Sequence, residues 1–587
     1  MNESDLLADT AGTIVADASG TMGRVGPPTR DAERHHQESL KETIESIIVA
    51  LILAFVFRAF IVEAFVIPTG SMAPTLYGAH GTIVCEDCGT EFAYGLRDLD
   101  DRRRAKMVLE DASAVCPNCN HRNTKLAISD EKRNAEKGDR ILVLKWPSDF
   151  GASWLAPARW DVTVFKDPAD GKTNFIKRMA GLPNEVLMIL DGDVYSVPTS
   201  ELSEEVLAEL DALRHEKYEY RTGARKGRLL LASPSVLTEL DEKLRVARKT
   251  PQAQKVLWFP VYNHDHPPRN PSLRQPRWVA LRGAKSGWNT RDRRIRFKDM
   301  GTEEDFIELA NVQIRATCAY NIHARTAAHV SDQRVSFVLT PEQGEGRVQI
   351  RLAKHGRTFV ANVGMDGSIT IEELSTKTDP PVRGLWASGQ VTPFVTGEAV
   401  EISFENVDYR LSLRIRGEEA LASTSTPGTR DHYAPDLAAL RSERIRRGST
   451  PPGIGAQGGN FEVAHVRVER DVHYYNDARV NSLAQAQWGP RKGWAGPFSP
   501  ILLREGEYFM LGDNTAASKD SRLWDVVGPH LKARGEAFQL GTVPADQLIG
   551  KAFFVYWPAG HRIDWLPRIR DWLWAIVPDV GRMRWIR

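Results

Sequence analysis

The stretch Phe55–Thr75, FVFRAFIVEAFVIPTGSMAPT, decides the reading of this chain, because in it an apolar segment runs directly into a serine. A serine hydroxyl attacks nothing near neutral pH unless a base takes its proton and donors steady the oxyanion that follows. Thr69 and Gly70 stand next to Ser71, and the Ser71 backbone N–H with the Thr69 hydroxyl offers an oxyanion site. PTGS also reads as a plain turn, since these residue types favour turns. The base has to come from elsewhere in the chain.

Upstream, residues 1–42 mix small, polar and charged residues without an apolar period and read as a disordered cytoplasmic tail. From Ile44 to Val66 only Glu45, Ser46, Arg58 and Glu63 interrupt the apolar character. The unbroken run, Ile47–Phe57, is shorter than the roughly 20 residues that span a bilayer. The expectation is an uncleaved transmembrane anchor over 43–66, with Arg58 and Glu63 at one end where charged heads reach the interface. A cleaved signal peptide competes, but bulky Phe60, Ile61 and Val62 stand where small cleavage-site residues belong. Arg24, Arg30, Arg34 and Lys41 precede the run, so the positive-inside rule puts the N-terminus in the cytoplasm and Ser71 on the outer side of the membrane. WLWAIV at 572–577 is too short to span and reads as resting on a membrane surface, within an amphipathic tail over 567–587.

Over the 587 residues, 77 lysines and arginines balance 76 aspartates and glutamates, which argues against a nucleic-acid partner. The local runs Arg102–Arg104 and Arg291, Arg293, Arg294, Arg296 read as solvated faces. Five cysteines are too few for a disulfide-built scaffold. Four of them, Cys85, Cys88, Cys116 and Cys119, form two C-x-x-C knuckles with Gly89 and Asn120 following, residues that tolerate left-handed geometry. Four thiolates on two tight turns are the pattern of a closed, structural zinc ribbon, here over 85–137, with disulfides as the alternative.

Downstream, 138–200 alternates in short strands (DRILVLKW, WDVTVFKDP, NFIKRMAGLP, EVLMILDGDVYSV), with Asp191-Gly192 as a hairpin turn. Lys177 sits in the third, near Ile176 and Met179; a lysine there normally points out on the alternate face. Residues 201–255 turn helical, and 256–476 is a long series of β-type runs that predicts an inserted jelly-roll sandwich of concanavalin or laminin-G type. Within it His264-Asp265-His266 reads as a polar loop, Cys318 as a buried small hydrophobe, and 424–460 as a loop. After a linker, strands resume within 477–566 (EYFMLGDNTAASKDSRLWDVVG), where Asp520 and Arg522 are spaced to pair. The fold class is mainly β.

Taken together, IPTGSMAPTL around Ser71, GDRILVLK from Gly138, FIKRMAGLPNE around Lys177, GDN with SKDSRLW from Gly512, and the closing GKAFFVYWP resemble the bacterial type I signal peptidases, membrane-anchored serine/lysine endopeptidases that remove leader peptides. The resemblance implies a β catalytic core in three parts (67–84, 138–200 and within 477–566) behind the anchor. It implies Ser71 as nucleophile, Lys177 as general base, and Thr69 with the Ser71 amide as oxyanion site. Ser518 would orient the lysine, Asp520 and Arg522 would brace that turn, Asp513 and Asn514 would shape the loop, and Met72 would line a substrate pocket. Thr515, Ala516 and Ala517 replace the RDN of many members, which unsettles the local hydrogen bonding. No cofactor is implied for catalysis. The implied partners are signal peptides with small residues before the cut, membrane lipid and the export machinery.

A buried lysine is what the chemistry requires, because at the ordinary pKa of about 10.4 only about one amine in 2,500 is neutral at pH 7. The rival reading is a degenerate peptidase platform that displays the sandwich as a binding module. A penicillin-recognising serine/lysine enzyme does not fit, since S-x-x-K is absent at Ser71.

Overall fold

A computed structural model describes residues 30–95, 114–123, 138–145, 158–222, 231–269, 276–299, 301, 303–318, 320, 328–375, 382–423, 433, 435–442, 450–474, 494–524, 526–535, 538–558 and 580–586. The first basic run, the linker after 476 and WLWAIV lie outside these. The chain divides into two units, Met1–Ile61 and Val62–Arg587.

In the first, Arg30–Phe60 is one helix, so helical structure begins inside the stretch expected to be a disordered tail. Among the described residues no helix is long and apolar enough to cross a membrane. The expected anchor boundary at 66 is also corrected, because Val62–Val66 leave the helix and form a strand paired antiparallel, residue for residue, with Arg140–Leu144. Glu63, which interrupts the apolar run in the sequence, meets Lys145 at 3.0 Å across that pair. Its charge serves a cross-strand ion pair of the second unit rather than a helix end.

The second unit is built on an antiparallel sheet whose spatial order is Val62–Val66, Arg140–Lys145, Leu548–Trp557, Val162–Lys166, Asn174–Gly181, Glu507–Leu511 and Val543–Pro544, with Arg584–Trp585 on the Leu548–Trp557 strand. Its apolar cluster gathers Ile67, Met72 and Leu76 of the segment around Ser71 with Ile141, Val143, Val162, Val164, Ile176, Ala552 and Val555 from strands far apart in the chain. A smaller sheet holds Glu185–Leu190 and Asp193–Pro198 around the expected hairpin turn, where Asp191 (φ 47°) and Gly192 (φ 94°) take the left-handed values that a two-residue loop needs. The helical stretch contains Glu204–Thr222, Pro234–Lys243 and Pro251–Val256, the last two capped by Ser233 and Thr250, whose side chains accept from Val236 N and Ala253 N.

Between Phe259 and Arg470 two antiparallel sheets, of eight and seven strands, pack their inner faces on one cluster that includes Phe337, Ile350, Phe359, Phe404 and Val463. The same cluster takes in Val186, Met188, Val206 and Leu240, so this core is continuous with the neighbouring strand and helices rather than a separate bead. Arg294 and Arg296 lie exposed against Glu462, the solvated face expected of them. Cys318 is partly rather than fully buried.

Candidate active site

Ser71 lies on a short 3₁₀ turn, Gly70–Met72, entered from an extended Thr69. The turn is clamped from both sides. On one side the GD of GDRILVLK faces the chain on both sides of the turn: Ile67 N donates to Asp139 O (2.9 Å) and Tyr77 N to Asp139 Oδ2 (2.9 Å). A Cβ on Gly138 would fall 1.7 Å from Ile67 O, so only glycine allows that approach. On the other, Asn514 N donates to Ser71 O (3.0 Å) and Asn514 Nδ2 to Gly70 O (2.9 Å). Gly512 leaves room for the same contact, since a Cβ there would lie 2.7 Å from Ser71 O.

Lys177 comes from the middle of the strand Asn174–Gly181, opposite Thr163. Its Nζ lies 2.8 Å from Ser71 Oγ and donates to Ile176 O at 2.9 Å. Lys177 is 4% exposed and Ser71 8%, so the lysine is not on a solvent face. Burial lowers its pKa from 10.5 to about 8, against the opposing pull of Asp520, Asp513 and Asp167.

Arg178, the next residue, points to the opposite face and is fully buried in a bidentate pair with Asp513 (2.7 Å on each arm), with Nη1 donating to Trp160 O (2.7 Å). Asp520 and Arg522 pair at 2.6 Å, both buried, and Asp520 Oδ2 accepts from Gly512 N at 2.9 Å. Arg522 Nη1 also donates to Thr515 Oγ1 (2.6 Å), so the departure from RDN keeps a side-chain bond at its first position.

Two expected contacts differ, those of Ser518 and Met72. Ser518 forms no hydrogen bond to Lys177; its Oγ is buried without a partner, packed where a Cβ on Gly512 would sit 2.1 Å away. Met72 is wholly buried in the apolar cluster with Ile67 and Leu76, and its side chain reaches no surface pocket here. Thr69 is exposed, and its hydroxyl caps nothing in the turn it precedes.

Sequence reasoning passed over Arg178 and Tyr320. Arg178 had a signal, a second charge in an otherwise apolar strand, which demands a buried partner. Tyr320 had none: it reaches in from the sandwich region, and a Cβ on Gly70 would lie 1.8 Å from its ring, while its hydroxyl donates to Ala79 O at 2.7 Å.

The four knuckle cysteines converge, all buried, with their sulfurs within 4.8 Å of one another. Cys85–Cys119 and Cys88–Cys116 are each 3.6 Å apart and none is disulfide-bonded. Sulfurs about 2.3 Å from a tetrahedral ion stand about 3.8 Å apart, whereas a disulfide needs about 2.05 Å, so the donor set fits a metal. Gly89 (φ 77°) and Asn120 (φ 62°) turn each knuckle as their residue types allow. His264-Asp265-His266 lies where this ribbon docks, with Asn118 bonding His266 O (2.6 Å) and Asn263 N (2.7 Å). His264 itself is buried on Tyr262 and Asp292 O, a structural loop.

The clamped serine turn thus sets a hydroxyl 2.8 Å from a buried amine, a pair chemically suited to base-assisted nucleophilic attack. A family model described as "Signal peptidase, peptidase S26" matches residues 40–101 and 454–557, so in these segments the chain is similar to the signal peptidases. Ser71 and the Gly512–Trp524 turn fall inside the matched segments, and Lys177 between them. Signal peptidase I of Pseudomonas fluorescens is 29% identical over 187 residues, 32% of this chain and 48% of that protein. Signal peptidase I of Rickettsia bellii (strain OSU 85-389) is 24% identical over 165 residues, 28% of this chain and 42% of that protein. The chain thus spans less than half the length of these relatives. Among solved structures, the carbohydrate binding module CBM66 from Bacillus subtilis covers 33% of this chain and 97% of its own at 11% identity, with a TM-score of 0.22.

Proposed function

We propose that this chain is a membrane-bound signal peptidase I, a serine endopeptidase that cleaves leader peptides from exported proteins with Ser71 as nucleophile and Lys177 as base. The observation that carries the reading is the 2.8 Å approach of Lys177 Nζ to Ser71 Oγ inside a buried site. When the amine is neutral, the Ser71 hydroxyl donates to it, and Nζ takes the proton as Oγ attacks the scissile carbonyl. The bond to Ile176 O holds the amine on the serine side of the strand. The oxyanion falls to the Ser71 N–H and the Thr69 hydroxyl, the latter supported by its exposure and by having no role in the turn. Lys177 then returns the proton to the leaving amine, and water resolves the acyl-enzyme.

In this reading Asp513 and Asn514 tie the turn to the strand through Arg178 and Gly70, and Asp520 with Arg522 braces the loop from behind. The substrate is itself membrane-tethered, so confining enzyme and substrate to one surface raises their effective concentration. The N-terminus then lies in the cytoplasm and the peptidase unit outside the inner membrane, where lipid and export machinery are its neighbours. The four cysteines hold a structural Zn²⁺.

The test is cleavage of a labelled leader peptide by the full chain in detergent micelles. Ser71→Ala and Lys177→Ala should each lose on the order of 10⁴-fold in turnover while keeping cooperative unfolding. Near-normal cleavage by either variant ends the proposal.

A further inference from the structure

The seven-stranded sheet of the sandwich turns Val348, Ile350 and Leu352 to the core, so Arg347, Gln349 and Arg351 face the other way. That outward face carries an ordered polar network. Gln349 Nε2 donates to Asn362 Oδ1 (2.8 Å) and Glu304 Oε1 (3.0 Å), and Asn362 Nδ2 donates to Thr370 Oγ1 (2.8 Å). Arg347 Nη2 donates to Glu304 (2.7 Å), and Arg383 joins Glu304 to Glu372 (2.9 Å to the latter). Gln349 is fully buried, Asn362 nearly so, and Gln349 Oε1 has no hydrogen-bond partner. At one end of the network opens a cavity of about 770 Å³ lined by Arg347, Asn362, Asp366, Thr370, Glu372 and Phe394, with glycines on its rim.

We propose that this cavity binds a neutral, polyhydroxylated ligand, that is, an oligosaccharide. Asn362 has spent one of its two N–H donors and one lone pair inside the network, which leaves one of each, already oriented, for the cavity. Vicinal hydroxyls, each donor and acceptor at once, match that pattern. The network has already ordered these side chains, so binding does not have to.

Other ligand classes fit less well. Asp299, Glu345, Asp366 and Glu372 line the cavity against the single guanidinium of Arg347, which disfavours anions. No three ligating groups of the cavity come within 4.8 Å of one another among the described residues, which disfavours a cation. The strands that form it, Arg347–Lys354, Arg357–Gly364 and Ser368–Ser375, are paired on both edges, so an extended peptide has no edge to join. The inference is independent of Ser71 and Lys177.

Calorimetric titration of the full chain in detergent, with neutral tetrasaccharides of glucose, galactose, fructose and N-acetylglucosamine and with trigalacturonate as the acidic control, tests it. At least one neutral tetrasaccharide should bind, and Asn362→Ala and Asp366→Asn should each weaken it about tenfold or more, the exposed Asp366→Asn with thermal unfolding unchanged. Should Asn362→Ala fail to fold, the rim variant Asp366→Asn decides alone. Binding of none of the four, equal binding by the folded variants, or preference for trigalacturonate overturns the proposal.

Discussion

Raising the pH of a leader-peptide cleavage assay from 7 to 9 should titrate Lys177, and the size of the response distinguishes a buried base from an ordinary lysine. With the amine at about 8, roughly 9% of molecules hold it neutral at pH 7 and roughly 91% at pH 9, so kcat/KM should rise about tenfold and then level off. A lysine left at 10.5 would give about a hundredfold rise over the same interval with no plateau below pH 10. The measurement is kcat/KM for a fluorogenic leader peptide in micelles from pH 6 to 10. Asp167→Asn supplies the second arm: this carboxylate holds the lysine proton on, so removing its charge should move the rising limb to lower pH. A limb that continues unbent to pH 10, or one unmoved by Asp167→Asn, refutes the assignment of Lys177 as the titrating base. The same burial has a stability sign. Folding lowers this pKa, so the cost is fully present below about pH 8 and disappears as pH rises towards 10.5. Lys177→Met should therefore stabilise the fold by roughly 3 kcal/mol at pH 7, and by progressively less between pH 8 and 10.5.

Breaking the fully buried Arg178–Asp513 pair by Asp513→Ala should cost about 3–5 kcal/mol in chemical denaturation, because it strands a guanidinium without its carboxylate. Thr69→Val should lower kcat by about 10²-fold with little change in KM if its hydroxyl meets the oxyanion; an unchanged kcat would assign the donor elsewhere. Metal analysis of purified protein should find about one zinc per chain, and Cys88→Ser should abolish it. Disulfides without metal would show that the cysteine cluster serves an oxidised scaffold.

Local rules made much of this chain legible. The two knuckles, the Asp191-Gly192 hairpin and the capped helices each depend on residues within a few positions of one another, and the structure forms them where their turn chemistry predicts. The serine, the lysine and the GDN turn were legible as a resemblance, through motif order rather than through any contact. Periodicity failed at Val62–Val66 because a short apolar run with one charge, Glu63, serves a helix or a half-buried strand equally well. The choice fell to a partner strand nearly eighty residues away that satisfies its backbone groups.

By itself the sequence determined the residue types and their local turns: the glycines at 70, 138 and 512, the acid–base pair spaced along SKDSR, and a lysine set among apolar neighbours. The tertiary structure decided that this lysine is buried against Ser71, that Arg178 beneath it answers Asp513, and that Tyr320 and the sandwich core pack into the same unit. Those outcomes are pairings across one hundred to more than three hundred residues. Their energies come from desolvation and close contact, which no spacing along the chain encodes.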